Sequence, residues 1–216
     1  TYRTGDSYPF SQRPVQSREF LFPIDFPANT TLDLFLRIEC VESKQIPIDL
    51  VSPAVLQAQT AERFAIYGAL FCSMAIMVLY NLCIWGIARE RSYLWYTLYV
   101  AAHTLYHVAF TGLGFQYLWP NSTAWQNYCL PIISWISLVL LMAFTRSYLT
   151  TAVRSRTTDQ AIKIVTIAIS IITPISLLFG AQSAILINAL IGMLSIILVM
   201  WASFKVGLTR YRPALY

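Results

Sequence analysis

Long apolar runs separated by short polar loops dominate residues 64–204. The first run, residues 64–88, has no charged side chain, and it lies between Arg63 and the basic pair Arg89 and Arg91. As a helix it would be roughly 37 Å long, and a bilayer's hydrocarbon core is about 30 Å thick. The pattern predicts five transmembrane helices, at about 64–88, 93–113, 128–145, 161–179 and 184–204, and the start of a sixth at about 213.

The residues before the first run have a different period. In residues 31–40 every second side chain is apolar and most of those between are charged or polar, which predicts a half-buried strand. Residues 19–26 and 45–51 are two further predicted strands. Because three strands bury little core, we expect residues 1–53 to be the C-terminal part of an all-β, jelly-roll-like sandwich that earlier strands complete. Residues 54–63 are predicted to be a linker helix leading into an all-α membrane domain at 64–216.

Composition and charge placement support this division. The chain is 57% hydrophobic and 12% charged, against about 45–50% and about 25% in average soluble domains. Loops 112–127 and 180–183 contain no Lys or Arg. The alternate loops and the segment after the fifth run are basic, which predicts that they are cytoplasmic and that the N-terminal head is periplasmic. The residues that determine this topology are Arg89, Arg91, Arg154, Arg156, Lys163, Lys205, Arg210 and Arg212.

His103 and His107 are the side chains that could hold a metal. They lie four residues apart, on one face of the second predicted span. Metal ligation is one interpretation of this spacing, but no acid or Cys is near in sequence, so we favour two neutral histidines hydrogen-bonded between helices. The scattered Cys40, Cys72, Cys83 and Cys129 predict neither a disulfide framework nor a zinc site. No cofactor and no catalytic residue are predicted.

Polar and helix-breaking residues are rare inside the predicted spans. Asn81, Asn188 and Pro174 are interpreted as interhelical hydrogen bonds or local kinks. No predicted span contains Asp or Glu, which argues against a proton or cation pathway.

Several short segments together resemble one family. They are YG at 67–68, LYNL at 79–82, RSYLWY at 91–96, GLGFQYLWP at 112–120 and FTRSYL at 144–149. In order and spacing they resemble the bacterial seven-transmembrane receptors with diverse intracellular signalling modules. The head is similar to the end of that family's extracellular jelly-roll domain at residues 4–10, 13–14 and 46–50.

The resemblance implies a receptor of the bacterial inner membrane, homodimeric in its full-length form. We therefore expect this chain to be a fragment of such a receptor, with five of the seven spans and without the cytoplasmic output module. In such receptors that module is commonly a histidine kinase or a diguanylate cyclase. The expected partners are membrane lipid and a small-molecule or carbohydrate ligand, and no nucleic acid. We expect the fragment itself not to be an enzyme. The alternatives are a transporter or channel and a membrane-embedded enzyme.

The outer loop at 112–127 is rich in aromatic residues, which settle at the headgroup level of a membrane. A second interpretation is that this loop packs under the head and senses its position. Arg63, Tyr117 and Trp119 are therefore candidates for coupling the head to the helices.

The predicted topology places Trp119 outside the cytoplasm. In a background without other cysteines, Trp119→Cys should react with a membrane-impermeant thiol reagent added from the periplasmic side. Labelling from the cytoplasmic side alone would overturn this topology.

Overall fold

The computed structural model describes residues 2–27, 29–39 and 48–207. In these ranges the chain forms six α-helices: α1 Pro53–Ala88, α2 Arg91–Phe110, α3 Thr123–Tyr148, α4 Thr151–Arg154, α5 Arg156–Leu177 and α6 Ala181–Gly207. A 3-10 turn at Phe10–Gln12 and a π-helix at Gly114–Leu118 complete the regular structure of these residues. Arg210, Arg212 and the predicted sixth span lie outside the described residues, as do Cys40 and residues 45–47 of the third predicted strand.

Helix α1 is one continuous helix of 36 residues. Ser52 caps it by accepting a hydrogen bond on its hydroxyl from the amide of Val55, at 3.4 Å, and Pro53 occupies the first helical position. Both residue types favour a helix start: the serine hydroxyl accepts from a free backbone amide, and proline has no amide hydrogen to leave unpaired. Residues 54–63 and the first apolar run therefore form a single rod. It ends at Ala88, and Arg89 after it adopts a left-handed conformation with φ of 55°.

Four of the described helices are long and apolar enough to cross a membrane: α1, α3, α5 and α6. Helix α2 covers most of the second predicted span, but it is not apolar enough to be counted with these four. The reason is its polar content, since Tyr, Thr and His side chains recur along its 20 residues. The prediction of five spans is thus not confirmed.

The bundle is built outward from α3. Buried Met142 of α3 packs with Ile162 and Ile169 of α5 and with Ala202 of α6. On the other side, Cys129 and Ile133 of α3 pack with Ala109 of α2. Helix α1 contacts α2, and none of its residues is buried. It therefore lies at the edge of the described bundle.

One asparagine joins three of these helices. Asn188 of α6 donates from Nδ2 to the carbonyl of Pro131 and to the hydroxyl of Ser134 on α3, both at 2.8 Å. Its Oδ1 accepts a hydrogen bond from Thr173 of α5, also at 2.8 Å. The predicted interhelical role of Asn188 is confirmed. Asn81 differs, because its side-chain amide donates to the Met77 carbonyl in its own helix.

The predicted β-structure is absent from the described residues of the head. Residues 19–26, 31–39 and 48–51 form no strand there. A strand exists only through hydrogen bonds to a neighbouring strand, and the alternating pattern cannot supply that neighbour. The apolar face consequently stays open, with Leu34 at 51% and Leu36 at 56% exposed. The jelly-roll-like sandwich is thus not found in these residues.

The Asn188 contacts should contribute measurably to stability. Asn188→Leu keeps the approximate size of the side chain but leaves the hydroxyl groups of Thr173 and Ser134 without their buried partner. We expect the free energy of unfolding to fall by about 1 kcal/mol. The measurement is a lower unfolding temperature in detergent.

The matched control is Asn81→Leu on α1, where the side-chain amide donates to the Met77 carbonyl of its own helix. This variant should unfold close to the unmodified protein. Equal losses in the two variants would contradict a special role for Asn188.

Candidate functional site

Arg13 is a buried arginine in the N-terminal part of the head. Its side chain is 5% exposed, and its guanidinium donates to the carbonyls of Ser17 and Arg18, both at 2.8 Å, and to Asp6 at 3.1 Å. Burial lowers the pKa of Arg13, and the Asp6 carboxylate partly opposes this effect. The group stays charged, because an arginine pKa lies so far above neutral pH. These bonds hold residues 6–18 in one fold around the cation.

Aromatic rings surround the same guanidinium. Its carbon lies 4.4 Å from the centre of the Phe20 ring, 4.7 Å from that of Phe10 and 5.7 Å from that of Phe115. Faces of aromatic rings attract cations, more strongly where water is excluded. Phe115 belongs to the π-helix between α2 and α3, so Arg13 connects the head to the helical domain.

Two further contacts join the head to the segment between α2 and α3. The amide of Phe10 donates to the carbonyl of Pro120 at 2.9 Å. The rings of Phe10 and Phe115 meet edge to face, with centres 5.7 Å apart, and both residues are buried. A backbone hydrogen bond and a packed ring pair together define the position of residue 10 on the helices.

The π-helix that carries Phe115 depends on Gly114 and Trp119. A Cβ at position 114 would collide with the Trp119 ring, so only glycine fits there. Trp119 in turn donates from its backbone amide to the Gly114 carbonyl at 3.0 Å and from its indole nitrogen to Gln126 at 2.9 Å. π-Helices are rare and are often found at functional sites. Here the π-helix turns Phe115 toward the head.

Charged side chains make a second contact, between the head and α1. Glu19 forms an ion pair with Arg63, and the guanidinium carbon of Arg18 lies 4.5 Å from the centre of the Tyr67 ring. With Phe110 and Thr111 at the end of α2, these four side chains line an open cleft of about 330 Å³. We call the contacts of residues 10–20 with α1 and with residues 110–120 the head junction.

The predicted coupling residues have different positions in this junction. Arg63 contacts the head through Glu19. Trp119 packs against Gly114 of the π-helix and supports it. The Tyr117 side chain, by contrast, is 65% exposed. Sequence reasoning missed Arg13 and Phe10 as contact residues. Nothing in the local pattern distinguishes a buried arginine from a solvated one, because its partners are up to about 100 residues away.

His103 and His107 lie side by side on α2, with ring centres 4.8 Å apart. His103 also stacks on Tyr99 at 5.6 Å and on Tyr106 at 6.1 Å. Within the described residues, no group of three or more His, Cys, Asp or Glu side chains could hold a metal ion. The histidines are thus part of an aromatic row along α2.

Six of the cations predicted to set the topology are among the described residues, and five of them lie at or near helix ends. Arg89 follows α1, Arg91 begins α2, Arg154 ends α4, Arg156 begins α5 and Lys205 lies near the end of α6, whereas Lys163 is about two turns into α5. The head junction, by contrast, contacts the C-terminal end of α2 and the loop before α3. At the far end, Asp159 accepts hydrogen bonds from Arg146 at 2.6 Å and Thr151 at 3.1 Å, and pairs with Lys163 at 2.8 Å. Arg146 and Lys163 thus have a structural partner that a count of loop charges does not reveal.

Comparison with known protein families gives two matches. Residues 63–216 match the family model described as 7TM diverse intracellular signalling. Residues 1–52 match the model described as 7TMR-DISM extracellular 2. No curated protein and no solved structure matched the chain. Both matching domains are of a sensory receptor type and not of a catalytic type, and with the apolar helices they fit a multi-pass membrane protein. The chain belongs to the family of seven-transmembrane receptors with diverse intracellular signalling.

Proposed function

We propose that this chain senses a ligand through its head and passes the signal to the membrane helices through the head junction. The observation that carries the proposal is the position of Arg13, which bonds to the head and packs on Phe115 of the helical domain. One side chain therefore belongs to both parts. Any movement of residues 10–20 must change its contacts.

Helix α1 supplies the route into the membrane. It meets the head at Arg63 and Tyr67, and it continues without interruption to Ala88. Because it is at the edge of the bundle and has no buried residue, it can shift at less cost than α3. A ligand would signal by binding more tightly to one arrangement of the junction than to the other.

The finer assignments rest on the resemblance. We propose a periplasmic head and an inner-membrane location, with a sugar or glycan as ligand. We also propose five spans of this chain among seven, a homodimeric receptor, and an output module that is a histidine kinase or a diguanylate cyclase. The open apolar face at residues 32–38 supports a sandwich that is completed by further strands, since a soluble domain rarely leaves such a face uncovered.

Arg13 should control docking of the head. Arg13→Met keeps an apolar stem but removes the charge, three hydrogen bonds and the attraction to the rings. We expect the amide hydrogen of Phe10, which is bonded to Pro120, to exchange roughly 10- to 100-fold faster, as loss of bonds from a charged group implies. Hydrogen exchange read by mass spectrometry measures this.

Arg3→Met is the control, because Arg3 is an exposed arginine of the same head. It should leave the exchange of the Phe10 amide unchanged. Unchanged exchange in Arg13→Met as well would contradict the role assigned to Arg13.

Undocking the head should move α1 at its far end. Spin labels at Ile87→Cys on α1 and Val153→Cys on α4 occupy positions that are 87% and 90% exposed, in a background without other cysteines. Glu19→Arg places a cation against Arg63 and should displace the head. We expect the distance between the labels to shift or broaden by roughly 1–2 Å, the size of typical helix shifts in signalling.

The double variant with Glu19→Arg and Arg63→Glu restores opposite charges and should return the original distance. If Glu19→Arg accelerates exchange of the Phe10 amide but leaves the label distance unchanged, the head undocks without moving α1. That result would overturn the coupling proposal.

A further inference from the structure

A groove of about 230 Å³ opens between α3 and α5 at the end of the bundle far from the head. Its walls are largely apolar, with Val139 and Ala143 on α3 and Ile167 on α5. Met142 and Thr166 also line it, and Arg146 and Lys163 lie about one turn beyond those walls, toward the loop between the helices. Ile167 is 59% exposed, so the groove opens on the surface that faces lipid.

The two cations are held in place by a buried acid. Asp159 is 7% exposed and uses one carboxylate oxygen for Arg146 and the other for Lys163. Thr151 donates a further hydrogen bond to it. Two cations and one carboxylate leave one net positive charge at the groove. Arg146 bonds to Asp159 through Nε, and its two terminal nitrogens are further donors on the same guanidinium.

We propose that this groove binds an anionic phospholipid. The headgroup phosphate would contact Arg146 and Lys163, and an acyl chain would lie along Val139, Ala143 and Ile167. The charge at the groove matches an anionic headgroup, and basic pockets between helices at the membrane surface are suited to such lipids. This site is at the opposite end from the head junction and does not depend on ligand sensing.

The test uses the whole protein in detergent, titrated with dioleoyl phosphatidylglycerol or dioleoyl phosphatidylcholine and read by native mass spectrometry. We expect phosphatidylglycerol to bind at least about fivefold more tightly, since one cation near a membrane surface contributes about that factor. Lys163→Gln should lower its affinity by about the same factor. Lys205→Gln, which removes a cation from α6 outside the groove, should have no effect.

A second variant tests the chain-binding part and stays informative if Lys163→Gln fails to fold. Ala143→Phe fills the groove without changing any charge, and it should weaken phosphatidylglycerol binding severalfold. Inorganic phosphate at millimolar concentration should not displace the lipid. Full displacement by phosphate with no effect of Ala143→Phe would show a simple anion site. That result, or equal affinity for the two lipids, would overturn the proposal.

Discussion

The hydrogen bonds of Asn188 hold together the three helices on which the rest of the protein is built. In lipid, apolar helices gain little from contacting each other, because acyl chains are as apolar as leucine. Directional polar contacts then decide which helices meet and in what register. Asn188 reaches α3 and α5 at once. One of its acceptors is the carbonyl of Pro131, a proline within α3.

Two other polar contacts mark the ends of the helical domain. Asp159 joins α3, α4 and α5 at one end, and Arg13 joins the head to the π-helix at the other. In both, a charged group is buried among several partners. Such a group is costly to separate from those partners. It therefore specifies one arrangement more strictly than an apolar contact of the same area.

Helix α1 is the exception to this tight construction. No residue of α1 is buried, and its polar Asn81 donates to Met77 of the same helix. It contacts α2 and, in its N-terminal half, Glu19 and Arg18 of the head. A long rod with a charged contact in its N-terminal half can carry a displacement along its length. Helix α3 is more restrained, because it packs against α2, α5 and α6.

The amino-acid sequence by itself determined the division of the chain into a polar head and apolar helices. It also determined the helix positions, because uninterrupted apolar runs and basic loops leave little choice of structure in lipid. The alternating residues 31–40 predicted a strand that residues 31–39 of the described chain do not form, since pairing requires a partner that local pattern cannot supply. Only the tertiary structure decided that Arg13 is buried, that Asp159 pairs with Arg146 and Lys163, and that Asn188 joins three helices. Each of these depends on side chains from different elements meeting in space, and hydropathy contains no information about such meetings.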